Sequence, residues 1–472
     1  MPSRPAYASR ALRPEASSPA RPPFRAELRQ QRGIPVTNTD PATPKTDTPA
    51  DSASVPTPPV DPREARTVVL SSAVGTTIEF YDFALYGLAS ALVFAPQFFP
   101  ADNQLAGQLG ALASFAIGFF FRPIGGIVAG HFGDRIGRKR VLVWSFMVMG
   151  LSTMLIAFLP TYATIGLAAP ALLVFLRAVQ GVAAGAEWGG AALMAVEHAP
   201  PGKRGLYGSA PAFGTTAGPL LASTMFIVVS TLDPAGFAGG GWRIAFGISF
   251  VLLVFGFYLR KRVTESPLFE SALAHEPPRV PLIPVLREHP LGVLRAMSWV
   301  LVSGATGYVV NTYGLTYAIE TTGASRATVL MLLNLAYLAS LVALFTVGRL
   351  VDRRRRVVLI TVALLQIPAA VLLFPLLALG DVAAVGVAFC LVWLAVGAIE
   401  ATRGAVLADL FPVEVRYSGV SLSYNLAYVL AGLAPLATAS IVAATGSITW
   451  MVVILAIAAL IALPVALTGP RR

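Results

Sequence analysis

The feature that most constrains this chain is a series of apolar stretches recurring from residue 67 almost to the C-terminus, separated by short polar turns. Each is close to the ~20 residues a helix needs to cross a ~30 Å hydrocarbon core. Buried helices of a soluble domain are shorter, and 56% hydrophobic against 12% charged residues exceeds what a water-soluble fold can cover. The pattern predicts an all-α integral membrane protein of twelve transmembrane helices, at 67–94, 106–130, 141–160, 167–190, 208–231, 242–260, 293–319, 326–348, 357–379, 382–408, 419–444 and 447–468. Helices satisfy their own backbone polar groups, which lipid cannot do.

A formal charge of +11 suggests nucleic acid at first, but the basic residues sit in short turns and no basic domain exists to present them. No nucleic-acid partner is expected. With the N-terminus inside, the inner turns hold Arg135, Arg138, Lys139, Arg140, Lys203, Arg204, Arg260 to Arg262 by way of Lys261, Arg279, Arg287, Arg295, Arg349, Arg353 to Arg356 and Arg416. The outer turns offer little beyond Arg243 and Arg326. The positive-inside rule therefore places both termini in the cytoplasm of a multi-pass protein of the plasma or inner membrane. Cys390 is the only cysteine, so no intrachain disulfide, cysteine-rich metal site or cofactor is expected. His131, His198, His275 and His289 fall at span ends or in loops, which argues against an enzyme with a nucleophile or metal inside the membrane. No Gly-Lys-Ser/Thr phosphate loop is present to use ATP.

Residues 1–66 are rich in Pro, Ala, Ser, Thr and Arg without apolar periodicity and read as a disordered cytoplasmic tail lacking the apolar core of a cleaved signal. The proline-rich turn 261–292 divides the spans into a bundle at 67–260 and a second at 293–472. An internal echo supports the division. GHFGDRIGRKR at 130–140 resembles GRLVDRRRR at 348–356, and Glu197, Pro200 and Arg204 fall on Asp409, Pro412 and Arg416. Two parallel six-helix repeats are a transporter architecture with solute held between the halves near the midplane. A functional monomer is expected.

GDRIGRKR at 133–140 resembles the loop signature of the major facilitator superfamily. A narrower likeness extends over the membrane region: GTTIEFYDFALYG (75–87), FFFRPIGGIVAGHFGDRIGRKR (119–140), LRAVQGVAAGAEWGGAALMAVEHAPPGKRGLYGS (176–209), GWRIAF (241–246), ESPLF (265–269) and LFPVEVRYSGVSLSYNLAY (410–428) are similar to the metabolite:proton symporter family. The resemblance implies secondary uptake of an organic acid or zwitterion with protons; members carry shikimate, 2-oxoglutarate, citrate and related acids, or proline and betaine. In helix 5, Gly214-Thr215-Thr216-Ala217-Gly218-Pro219 partly resembles an antiporter pattern, but Leu220, Leu221 and Ala222 replace its later glycines. Symport is favoured over a proton-coupled antiporter or exporter, and over a sensor, which would add a signalling domain.

An ionisable side chain in hydrocarbon is a functional candidate by default. Glu79 and Asp82 lie on one face of helix 1, ~18 Å from its start at ~1.5 Å per residue. Two adjacent carboxylates cannot both ionise cheaply, so one is expected to bind and release a proton. The bland alternative is a packing pair neutralised by Arg122 or Arg177. Arg177 and Gln180 of helix 4 resemble a superfamily motif, in which Arg177 controls the nearby carboxylates or binds a substrate carboxylate. Glu187, further along helix 4, reads as a gate or packing contact. Arg122 precedes Pro123 and either binds substrate or holds structure. Glu400 and Arg403 are a self-neutralising i,i+3 pair that departs from the family's mostly uncharged helix 10, and either tunes substrate choice or cancels itself. Tyr81, Tyr86, Tyr308, Asn311, Tyr313, Tyr424 and Asn425 are cavity candidates, or interhelical hydrogen-bond partners. Asp134, Arg135, Arg138 and Lys139, with Asp352 and Arg353 in the second half, are expected to switch the halves as well as set topology.

Overall fold

The computed structural model describes residues 62–100, 104–128, 138–185, 187–197, 199–200, 202–232, 236–261, 282–412 and 415–468. Most of the tail, most of the linker and the turn holding Asp134 and Arg135 lie outside these residues, as do the side chains of Arg138 and Lys139 at the start of the third helix.

Among the described residues twelve long helices, with shorter ones between them, follow one another: α1 Arg66–Phe98, α2 Gln104–Val128, α3 Arg138–Ala157, α4 Ala168–Gly185, α5 Arg204–Leu232, α6 Gly239–Tyr258, α7 Pro290–Thr322, α8 Arg326–Leu350, α9 Arg355–Leu377, α10 Val382–Asp409, α11 Arg416–Thr445 and α12 Thr449–Thr468. All but α3 are long and apolar enough throughout to cross a membrane; the apolar part of α3 is the shorter Val143–Ala157. Stops are local. Gly323 and Gly446 end α7 and α11 in the left-handed conformation that glycine adopts without strain, and the side chains of Ser325 and Asp381 cap the starts of α8 and α10.

The helices pack as two repeats. In the first six, α1 lies on α5, α2 on α4, and α3 on both α4 and α6; in the second six the same pairings recur as α7 on α11, α8 on α10, and α9 on both α10 and α12. Between the halves, α2 meets α11 and α5 meets α8. Large apolar side chains such as Trp144, Val251, Val342 and Val357 face outward, as a lipid-facing surface requires.

Small residues bring backbones into contact. A Cβ on Gly181 of α4 would lie 2.0 Å from the Gly118 carbonyl oxygen of α2, so only glycine permits this approach. Gly214 and Gly218 do the same between α5 and α1, which gives the helix 5 glycines a packing role.

Two departures from the expected spans bear on function. The expected continuous span 167–190 is broken: α4 stops at Gly185, Glu187 sits in a turn, and a separate helix runs Trp188–Glu197. Rise-per-residue reasoning therefore does not locate Glu187, which is buried in that break. In addition, α1 and α7 each contain one wide π-turn, Ser90–Phe94 and Val310–Gly314, at matching positions in the two halves. Such turns free backbone groups within an otherwise regular helix.

Candidate functional site

The α2–α4 glycine contact places two guanidinium groups deep in the first half. Arg122 is fully buried and donates from Nη2 to Glu79 Oε1 at 2.7 Å. Its guanidinium also lies over the rings of Phe83 (5.0 Å), Tyr428 (5.1 Å) and Tyr424 (5.7 Å). The last two belong to α11, so this cation of the first half rests on aromatic faces of the second.

Arg177 is equally buried, yet among the described residues it belongs to no ion pair. Its Nη1 donates to Gln180 Oε1 at 3.3 Å, its Nε and Nη2 make no hydrogen bond, and it packs over Phe83 (4.3 Å) and Tyr86 (4.4 Å). Gly118 makes room for it: a Cβ there would lie 2.4 Å from Arg177 Nε.

The two carboxylates of α1 turn to different partners. Glu79 has the cation, whereas Asp82 accepts hydrogen bonds from Thr153 Oγ1 of α3 and Ser249 Oγ of α6, both at 2.8 Å, and is in no ion pair among the described residues. Gln180 Nε2 donates to the same Thr153 hydroxyl at 2.6 Å. A polar chain therefore runs Arg177, Gln180, Thr153, Asp82 through an otherwise apolar bundle. Thr153 and Ser249 carry no distinguishing signal in the sequence, because a hydroxyl within an apolar span looks the same when it bonds only its own helix. Thr153 does that too, reaching Met149 O at 3.1 Å.

In the second half, Glu400 and Arg403 form a buried ion pair on α10. Arg403 Nη2 donates to Ser303 Oγ of α7 at 2.6 Å and Nη1 to Tyr428 OH at 3.2 Å. Glu400 Oε2 accepts from Thr215 Oγ1 of α5, across the halves, at 3.1 Å. Glu400, Thr215, Ser303, Tyr308, Asn311, Trp393 and Tyr428 line a central cavity of about 30 Å³, room for one or two waters.

The remaining candidates separate. Tyr308 lines the cavity and its hydroxyl makes no hydrogen bond among the described residues; Asn311 lines it and accepts from Tyr337 OH at 2.9 Å. Tyr86 donates to Ser114 Oγ at 2.9 Å while its ring lies under Arg177. Tyr81 does not line the cavity: its hydroxyl donates to Ala245 O of α6 at 2.7 Å, inside the first half. Tyr313 lines a different cavity of about 160 Å³, with Ser90 and Ala91 of the α1 π-turn, Gln108, Thr316, Tyr317 and Glu320.

Where α4 breaks, the two halves are in contact. Trp188 stacks on Tyr424, ring centroids 3.6 Å apart and 4° from parallel, and Asn425 Nδ2 donates to Gly185 O at 3.2 Å. Further out, the Asp352 carboxylate accepts from the backbone N–H groups of Gly205 (2.7 Å) and Leu206 (3.2 Å) at the start of α5, and Arg355 pairs with Asp409. Asp352 thus fastens the second half to a helix N-terminus of the first. Arg353 shares its turn but takes part in no ion pair among the described residues.

Comparisons with known proteins agree with this architecture. The sequence model of the Major Facilitator Superfamily matches residues 73–392. The chain is 42% identical over 379 residues to the inner membrane metabolite transport protein YhjE of Escherichia coli, covering 78% of this chain and 86% of that protein. It is 38% identical over 380 residues to the shikimate transporter of the same organism (78% and 85% covered) and 32% identical over 395 residues to a putative proline/betaine transporter of Staphylococcus aureus (82% and 84%). Among solved structures, the xylose transporter XylE of E. coli, partially occluded and inward open, superposes with a TM-score of 0.65 at 17% identity over 86% of this chain and 98% of that one.

Proposed function

Because the chain belongs to the Major Facilitator Superfamily, whose transport function it shares with its metabolite-carrying relatives, we propose that it imports a small organic acid, or a zwitterion bearing a carboxylate, together with a proton by alternating access. The supporting observation is the polar chain from Arg177 to Asp82. A buried guanidinium without a counter-ion is costly, and its two free edges, Nε and Nη2, suit the oxygens of a carboxylate. The same cation communicates through Gln180 and Thr153 with a carboxylate held only by hydroxyls.

Asp82 is the proton carrier in this reading and Glu79 the structural partner. Glu79 keeps its charge because Arg122 balances it. Asp82 has no such partner within its shell, so its charge is governed by whether a proton or a more distant cation compensates it. Substrate carboxylate at Arg177 removes that distant compensation and favours a proton on Asp82, which couples the two loads. In this reading the basic turns face the cytoplasm, so the end where Trp188 meets Tyr424 is the cytoplasmic gate.

The test is uptake of radiolabelled organic acids and betaines into proteoliposomes under an imposed proton gradient. Accumulation that disappears when the gradient is collapsed is expected; uptake indifferent to the gradient would overturn symport.

A further inference from the structure

The mechanism above uses the charges of the first half and leaves the buried pair of the second without a task. Among the described residues, Glu400 is the only charged side chain lining the central cavity. One of its oxygens, Oε1, is held by Arg403, which is itself fixed by Ser303 and Tyr428. The pair is therefore a rigid mount on the second half. The other oxygen, Oε2, reaches across to Thr215 of the first half.

That second contact is built to be exchanged. A threonine hydroxyl has one proton to give, and Thr215 Oγ1 already has its own helix carbonyl, Ala212 O, at 2.8 Å against 3.1 Å for Glu400. When the halves part, Thr215 leaves with α5 and satisfies itself on α5. Glu400 then loses its donor from the first half and faces the opened cavity with only Ser303 and Arg403 of its own half beside it, so Oε2 is open to a donor carried by the solute.

We infer that Glu400 reads a hydrogen-bond donor on the substrate, a hydroxyl or an N–H bearing ammonium, and that Thr215 occupies the donor's place when the cavity is empty and closed. This rests on the carrier reading above and narrows it. The preferred solute carries a carboxylate for the arginine side and a donor for Glu400. Hydroxy acids and amino acids with a free N–H meet both demands; plain carboxylates and fully alkylated betaines meet only the first.

The experiment is equilibrium binding to the purified full-length protein at fixed pH, without any gradient, using matched pairs that differ in the donor: malate and succinate, lactate and propionate, shikimate and cyclohexene-1-carboxylate, proline and N,N-dimethylproline. In the unaltered protein the donor-bearing member of the best-bound pair is expected to bind at least about tenfold tighter, since a site built around a hydrogen bond rejects the analogue lacking it. Glu400→Gln should bring that ratio below about threefold mainly by weakening the donor-bearing member, whereas Thr215→Val should keep it. Equal binding of both members by the unaltered protein overturns the inference while leaving the carrier reading intact, and so does a ratio that survives in Glu400→Gln. Binding of none of the compounds overturns the organic-solute reading itself. Should Glu400→Gln fail to fold, the Glu400→Gln/Arg403→Gln pair removes the stranded charge, and the matched-pair ratio of the unaltered protein decides regardless.

Discussion

The indole of Trp188 lies flat on the phenol ring of Tyr424, 3.6 Å between centroids, joining the helix that follows α4 to α11 of the other half. The indole sits at the first residue of the helix Trp188–Glu197, directly after the break at Glu187. Stacked aromatic pairs contribute ~0.5–1.5 kcal/mol beyond their buried area. Trp188→Ala should therefore raise the population open at this end by roughly 2–10-fold. Ser421 lies one turn before Asn425 on α11, its carbonyl accepting from Asn425 Nδ2 at 3.0 Å; modification of a Ser421→Cys probe by a membrane-impermeant maleimide, applied from the Asp352 side, measures that opening, and an unchanged rate would remove the stack from the gate.

Glu79 and Arg122 should behave as a structural unit. Glu79→Gln strands a fully buried guanidinium and is expected to cost ~3–5 kcal/mol, seen as a marked fall in melting temperature in detergent. Replacing both, as Glu79→Gln with Arg122→Gln, should recover most of the loss. If the double variant is no more stable than the single one, the pairing is not what Arg122 contributes.

Asp82 should separate coupling from exchange. Asp82→Asn keeps the hydroxyls of Thr153 and Ser249 occupied but cannot take up a proton. Proton-driven accumulation should vanish while counterflow exchange continues and becomes insensitive to pH. Full accumulation by this variant would move the proton elsewhere.

Gly205 should act as a closure sensor. A Cβ there would lie 2.3 Å from Val351 Cγ1 and 2.8 Å from Asp352 Oδ1, so Gly205→Val is expected to prevent the halves from meeting. Net transport should fall by at least about tenfold, while the Ser421→Cys probe becomes freely reactive. Asp352→Ala should shift the same equilibrium more mildly, by the ~0.5–2 kcal/mol of a lost N-terminal cap.

The positions of the spans were legible because apolar length is a local property; α10 and α9 run within two residues of where hydropathy puts them. The break at Glu187 and the π-turns of α1 and α7 were not, since neither changes the apolar composition that defines a span. Glu79 and Asp82 could be recognised as buried carboxylates from helix geometry, but their division of labour depends on Arg122, Thr153 and Ser249, which arrive from three other helices. Tyr81 illustrates the converse. It shares a helix with both carboxylates and reads as a cavity residue, yet helical rotation turns it toward α6. The aromatic ring of Tyr428 and the indole of Trp393 went unselected because an apolar span supplies many rings and only the interface distinguishes them.

A central space of about 30 Å³ is too small for a continuous file of water between the two membrane faces. That space has room for one or two waters and does not by itself join the two faces into a wire for protons. For the proton-coupled import proposed above, the driving potential is then not spent through this space while cargo is scarce.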